Sequence, residues 1–192
     1  LLNGNKQLAA TASGGVGMSL DMTYFQDADG RSYYAWQQLG ATYIATMDPK
    51  DPAHVTSSPV RIVTPEYAWN AAIAEGPNVT LRDGKLYLMF SGSGVGKTYT
   101  TGLAVADASG TDLTDPASWT VLNYPIQKSG PFNGEMQLGT GHGMWSEDED
   151  GNQIYVFHAY ATKNLGSVNA AGRDMFVRRV HWAADGMPVF DM

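Results

Sequence analysis

Short apolar runs broken by Gly, Pro and Asp turns dominate the chain, and they recur in one order. Met18 to Phe25 reads as a strand, Asp27-Ala-Asp29-Gly30 as a turn, and Arg31 to Gln37 as the returning strand. Tyr43 to Met47 supplies a third strand, stopped by Asp48-Pro49-Lys50-Asp51-Pro52, and Val60 to Val63 a fourth. The order then repeats: Glu75 to Leu81, an Asp83-Gly84 turn, Lys85 to Phe90, Thr101 to Ala106, and Thr120 to Ile126. A third unit runs His142 to Ser146, Gln153 to Ala159 and Met175 to His181, closing on Ala184-Asp185-Gly186-Met187-Pro188. Leu1 to Gly17 is a small-residue and polar lead-in with a loop signal at Ser13 to Gly17. No segment carries the sustained helical periodicity of an α/β chain.

The Asp-Gly turns at Gly30, Gly84 and Gly151 lie 54 and 67 residues apart. Units of this length with about four strands each point to β-propeller blades, with a sandwich or jelly roll as the alternative. One register favours the propeller. Asp21, Glu75 and His142 each stand nine residues before those glycines, so three ionisable side chains are expected at one position in three copies of one unit. The expected blades are 14–70, 71–135 and 136–192. Three blades cannot close a ring, and open blade edges invite pairing. The chain is therefore expected to be the C-terminal part of one larger propeller domain. Its N-terminal blades would lie outside these residues, and a complementary segment or another copy would cover the open edges.

Composition narrows the partners. Of 192 residues, 43% are hydrophobic and 16% charged, with 22 glycines, which describes an ordered, turn-rich protein. A net charge of −7 argues against nucleic acid and anionic membranes, which need clustered Lys and Arg. There is no Cys, so thiolate chemistry is excluded, and no apolar run reaches the ~18 residues of a membrane span. No leader is visible, and the chain opens at Leu1 rather than Met, so secreted and cytoplasmic locations both stay open.

Several stretches together resemble glycoside hydrolase family 43. They are Ser19-Leu-Asp21-Met-Thr-Tyr-Phe25, Glu75-Gly76-Pro77, Gly139-Thr-Gly141-His142 before Glu147-Asp-Glu-Asp-Gly151, and the closing Arg173 to Phe190 run. The resemblance begins near Gly14 and keeps its order to the end. It implies a five-bladed propeller that cleaves arabinose or xylose linkages with inversion, in plant cell-wall polysaccharide or its oligosaccharides. Glu75 would be the general acid, Asp21 the carboxylate that positions and tunes it, and His142 the holder of a water or cation near the axis. No cofactor is required, although a structural calcium or other cation at the axis is compatible. Pro65-Glu-Tyr67-Ala-Trp69 and Tyr33-Tyr-Ala-Trp36-Gln look like the α-L-arabinofuranosidase branch, with β-xylosidase or arabinanase as neighbours. Three departures stand out. The family's base, an Asp on its first blade, would lie before Leu1; His142-Gly-Met-Trp145 replaces the more usual His-Asn-Ser-Phe; and Phe176 stands where many members have Arg. The first departure keeps open a carbohydrate-binding propeller fragment without activity.

Inverting hydrolysis needs an acid for the leaving oxygen and a base for water, their carboxyls ~6.5–9.5 Å apart. Each candidate also has a plain structural reading. Glu75 would then be a strand-end carboxylate satisfied by backbone N–H groups, Asp21 a turn cap, and His142 a core or surface histidine. Trp69 and Trp145, flanking Glu75 and His142, are candidates to stack on sugar; Trp36, Trp119 and Trp182 read as packing. Arg173 is a candidate to face the carboxylates, since an Arg fork favours an ionised Asp. The Asp-rich stretches 27–30 and 148–151 lack the ligand ladder of a calcium loop and read as hairpin turns.

Overall fold

The computed structural model describes residues 2–3, 6–7, 19–160 and 172–190. Most of the expected lead-in, including Ser13 to Gly17, lies outside the described residues. Among the described residues the strand pairing is antiparallel apart from one short parallel pair. The first sheet holds β1 (Leu2–Asn3), β2 (Lys6–Gln7), β3 (Ser19–Gln26), β4 (Ser32–Gln38), β5 (Ala41–Asp48), β6 (Asp51–Val55) and β7 (Val60–Val63). The middle sheet holds β8 (Ala74–Arg82), β9 (Lys85–Gly92), β10 (Thr100–Asp107) and β11 (Thr120–Val121). The third holds β12 (Gly130–Phe132), β13 (Glu135–Glu147), β14 (Gln153–Tyr160), β15 (Asp174–Trp182) and β16 (Pro188–Phe190).

Two expectations are corrected. Asp51-Pro52 opens β6 instead of ending the strands, because residues 49–50 make a tight turn and Asp48 pairs with Asp51. The strand expected from Thr120 to Ile126 is only Thr120–Val121. After Leu122 the chain leaves the sheet edge, Pro125 removes a donor there, and the chain returns at Ile126 and Gln127, whose N–H groups both reach the Thr101 carbonyl.

Strand β9 explains how the sheets stack. Its Leu86, Leu88 and Phe90 enter a core shared with Phe25, Tyr33, Ile44 and Val63 of the first sheet. Its Tyr87 and Met89 enter another, shared with Trp145, Tyr155, Phe157 and Phe190 of the third. A strand covered on both faces must be apolar at every position, and Leu86 to Phe90 are all buried. The outer sheets differ. On the third, Met144, Val156 and Val177 sit in register, with Met144 50% and Val177 49% exposed. On the first, Leu20, Met22 and Tyr24 of β3 are likewise exposed.

The inner strands β3, β8 and β13 meet, with β8 touching both others. Each carries a bulge at the same place: pairing shifts between Leu20 and Thr23, between Glu75 and Asn78, and between Gly141 and Met144. The first bulged residue is left-handed in all three: Asp21 at φ 60°, Gly76 at 59° and His142 at 50°. The common nine-residue count thus hides a one-residue offset. Asp21 and His142 occupy one structural position, whereas Glu75 stands one step earlier, in the place of Leu20 and Gly141. β8 pairs one residue further beyond its bulge and turns on Asp83-Gly84 alone, while residues 27–31 and 148–152 are unpaired in the other two hairpins.

Candidate active site

The offset still brings the three side chains together. The Asp21 carboxylate accepts the Gly76 N–H at 3.1 Å with one oxygen, and its other oxygen lies 3.7 Å from His142 Nε2. Glu75 is half-buried, and its Oε1 accepts the Tyr99 hydroxyl at 2.6 Å. The same hydroxyl lies 3.1 Å from His142 Nδ1. Ser91, paired with Glu75 across β8 and β9, accepts the His142 backbone N–H at 2.7 Å. The site is therefore tied across all three sheets by hydrogen bonds.

Tyr99 was not marked by sequence reasoning. It closes the β9–β10 loop and is fully buried. Burial, then the hydrogen bond to Glu75 and that carboxylate's charge, push its phenol well above the ordinary value, so it stays a donor. The signal that could have found it is glycine. A Cβ on Gly141 would stand 2.5 Å from the Tyr99 ring, and one on Gly139 would strike the Gly96 carbonyl. His158 was also missed. Its ring lies parallel to Tyr99 at 5.5 Å and faces His142 at 6.3 Å. Burial, then Arg173 and His142, lower its pKa from 6.5 to about 4.

Arg173 donates to His158 Nε2 at 2.9 Å. Since an arginine only donates, the neutral His158 ring carries its proton on Nδ1. Arg173, Asp174, Met175, His158, Met144 and His142 line a cleft of about 560 Å³ beside the cluster. It opens on the half-covered third sheet, so the Glu75–Asp21 chemistry stands at its edge, not within it.

The tryptophans divide. Trp145 is 8% exposed and donates to the Tyr87 carbonyl at 3.1 Å, so the structure places it in the core and not beside the carboxylates. Trp69 is half-buried, with its ring parallel to Tyr67 and packed on Phe90, and its N–H on the Asn123 carbonyl. It also lines a 440 Å³ cleft with Ser93, Lys97, Thr100 and Lys128. Gly143 has a local reason, since a Cβ there would meet the Tyr155 ring at 2.1 Å. Phe176 packs on Phe157.

The Asp-rich stretches are turns. Asp27 accepts the N–H groups of Asp29 and Arg31, and Asp148 those of Asp150 and Asn152. Near the inner strands, His142 has one ring nitrogen on Tyr99 and the other facing Asp21. Among the described residues no group of three His, Cys, Asp or Glu side chains is placed to hold a metal ion. These residues do not by themselves form a cation cage.

A buried phenol thus holds one carboxylate, with a second carboxylate and a histidine at hand, on an all-β, propeller-like scaffold. Similarity to known proteins identifies the family. The model of glycosyl hydrolases family 43 matches residues 5–188, and the chain belongs to that family. An extracellular exo-α-(1→5)-L-arabinofuranosidase from Streptomyces avermitilis is 32% identical over 185 residues, covering 90% of this chain and 37% of that protein. α-L-Arabinofuranosidase 43 from Humicola insolens is 32% identical over 186 residues, again 90% and 37%. Among solved structures, an α-L-arabinofuranosidase from Lactobacillus brevis superposes with a TM-score of 0.80 at 29% identity, over 91% of this chain and 56% of that one. The chain thus spans little more than a third of these curated relatives and just over half of that structure.

Proposed function

We propose that the chain supplies the acid half of an inverting glycoside hydrolase that releases arabinose from plant cell-wall polysaccharide or its oligosaccharides. The observation that carries this reading is the convergence of Glu75, Asp21 and His142 on Tyr99 and the Gly76 amide. Glu75 passes its proton to the leaving glycosidic oxygen as the bond to the anomeric carbon breaks. Asp21 keeps a negative charge beside the reacting centre, where the sugar becomes oxocarbenium-like. Arg173 and the cleft beside His142 hold the sugar, and Trp69 borders a second cleft for the remainder of the substrate. The arabinose preference follows the arabinofuranosidase relatives; xylose is the runner-up.

The base is proposed to be a carboxylate outside these 192 residues, on blades that complete a five-bladed ring of which this chain forms three. Two observations support that reading: the exposed apolar rows on the outer sheets, and coverage of 56% of a homologous structure. A water-activating carboxylate on the opposite side of the anomeric carbon would then complete the pair.

The test is Glu75→Gln in the full-length protein, assayed on an aryl α-L-arabinofuranoside and on arabino-oligosaccharide. Loss of about 10²–10⁴-fold in kcat on the oligosaccharide, with an unchanged melting curve, is expected. Equal turnover by variant and wild type removes Glu75 from the role. Binding of the oligosaccharide without hydrolysis by the wild type makes the protein a carbohydrate-binding propeller instead.

A further inference from the structure

We propose that Tyr99 is a positioning residue that sets two proton positions at once. It puts the acid proton of Glu75 on Oε2, and it puts the proton of the neutral His142 ring on Nδ1. The inference rests on the reading of Glu75 as the acid for its catalytic consequence only; the proton positions follow from the hydrogen bonds.

A phenol has one proton to give and lone pairs to receive with. Tyr99 Oη has three polar neighbours here: Glu75 Oε1 at 2.6 Å, His142 Nδ1 at 3.1 Å and the Ser91 hydroxyl, which donates to it. A carboxylate accepts more strongly than an imidazole nitrogen, and the shorter contact is to Glu75, so the phenol proton lies there. In that state Oε1 is occupied by the phenol hydrogen and Oε2 is the open oxygen, so the proton Glu75 takes up, the transferable one, goes on Oε2. The lone pair of Oη is left facing His142, which must bring a hydrogen to meet it. Nδ1–H is that hydrogen.

The phenol cannot turn away to escape this arrangement. Its ring is fully buried, lies parallel to His158 and fits under Gly141, and its backbone N–H is fixed on the Gly96 carbonyl at 3.2 Å. The His142 backbone is held by its own N–H on Ser91 and by the left-handed bulge, and its ring lies nearly parallel to His158 at 6.3 Å.

A consequence follows at the other edge of the imidazole. With the proton on Nδ1, Nε2 presents a bare lone pair 3.7 Å from Asp21 Oδ1, too far for a direct hydrogen bond. Two acceptors aimed at one place call for a donor between them. Two such acceptors need two hydrogens: one water supplies both in the free protein, and because the His142 side chain is 43% exposed and borders the cleft, a sugar supplies them from two hydroxyl groups. Tyr99 thereby makes the Asp21–His142 pair a reader of two neighbouring hydroxyl groups.

Long-range ¹H–¹⁵N correlation spectra of the protein at about pH 8, where an ordinary imidazole is neutral, read the tautomer directly. The wild type is expected to show His142 protonated on Nδ1. In Tyr99→Phe the Nδ1 acceptor is gone, and the ring is expected to switch to Nε2–H, facing Asp21. A wild-type ring protonated on Nε2 overturns the proposal, whether or not the variant folds. In kinetics, Tyr99→Phe is expected to lower kcat about 10–100-fold on an arabino-oligosaccharide, with KM within about 3-fold. A dinitrophenyl arabinofuranoside, whose leaving group needs no proton, is expected to lose less than about 3-fold. Equal losses on both substrates overturn the placement of the acid proton. A wild type that hydrolyses neither substrate defeats the hydrolase reading alone, and the spectra still decide the tautomer.

Discussion

The flanking inner strands and the middle one use the same bulge differently. β3 and β13 place an ionisable residue, Asp21 or His142, on the left-handed residue of the bulge. β8 places Gly76 there and carries its carboxylate one residue earlier. An L-residue in that conformation costs about 1–2 kcal/mol, and Asp, Asn and His adopt it more often than most. The flanking strands thus accept strain to aim a side chain. The middle strand avoids it, and its bulge N–H, free of the ladder like that of His142 on Ser91, is accepted by Asp21. Side chain to amide is how two neighbouring bulges lock, and that lock sets where Glu75 stands.

The strongest way to break this contrast is Gly76→Ala. A Cβ there sits 3.3 Å from Cε1 and Nδ1 of the His142 ring, tighter than ordinary contact, and at φ 59°. Stability is expected to fall by about 2 kcal/mol in a denaturant titration, from left-handed strain and contact together. Turnover is expected to fall about 100-fold, because displacing the imidazole also displaces Tyr99 and Glu75 from a productive geometry. A variant that melts and turns over like the wild type would show that the glycine in β8 is incidental.

The two five-residue hairpin turns sharpen the contrast at a smaller scale. Asp27 has a fully buried side chain that accepts from Arg31 Nε at 2.6 Å and from the Tyr33 hydroxyl at 3.0 Å, besides two backbone N–H groups. Its turn also reaches the middle sheet, through Ala28 N–H on the Ala108 carbonyl and Arg31 on the Thr111 carbonyl. Asp148 caps its turn with the same backbone pattern, but its further partners are the neighbouring Asn152 side chain and, at 3.6 Å, the half-exposed Arg179. Asp27→Ala strands a buried phenol and is expected to cost about 2–4 kcal/mol, or about 5–10 °C in Tm. Asp148→Ala is expected to shift Tm by less than half as much. Equal shifts would mean that the first turn gains nothing from its burial against the middle sheet.

Much of this was legible in the sequence, for identifiable reasons. Val60–Val63 appears with its expected bounds, and Gln153–Tyr160 within one residue, because alternation and turn residues both mark them. Spacing singled out Asp21, Glu75 and His142, which the structure brings together, although the spacing equated residues that the pairing sets one apart. A one-residue difference in turn length is invisible until the hairpins are registered. Trp145 was misjudged as facing sugar because proximity to His142 along a strand says nothing about the face. Successive residues point opposite ways, and here the bulge resets the alternation. Tyr99 carried no local mark among ten tyrosines. Only the path of the β9–β10 loop, cleared by Gly139 and Gly141, brings it to the carboxylate.

The smallest effect separates the two histidines of the third sheet. His142 reaches the surface, whereas His158 packs between the Tyr99 and His142 rings and Arg173. Burial first, then the neighbouring Arg173 and His142, bring its pKa down to about 4 from 6.5. Between those values an unfolded chain binds a proton at this residue and the folded protein does not. Stability from His158 is therefore whole above pH 6.5 and drains as the pH falls toward about 4. His158→Gln keeps an acceptor for Arg173 and removes the titration. The wild type is expected to lose Tm more steeply than the variant as the pH falls from 6.5 to 4, while both change in parallel above pH 7. Carboxylates titrate alike in the two proteins, so the difference between the curves isolates the ring. Parallel curves through the whole window would mean that His158 is solvated as fully as His142, and the contrast between the two histidines would be lost.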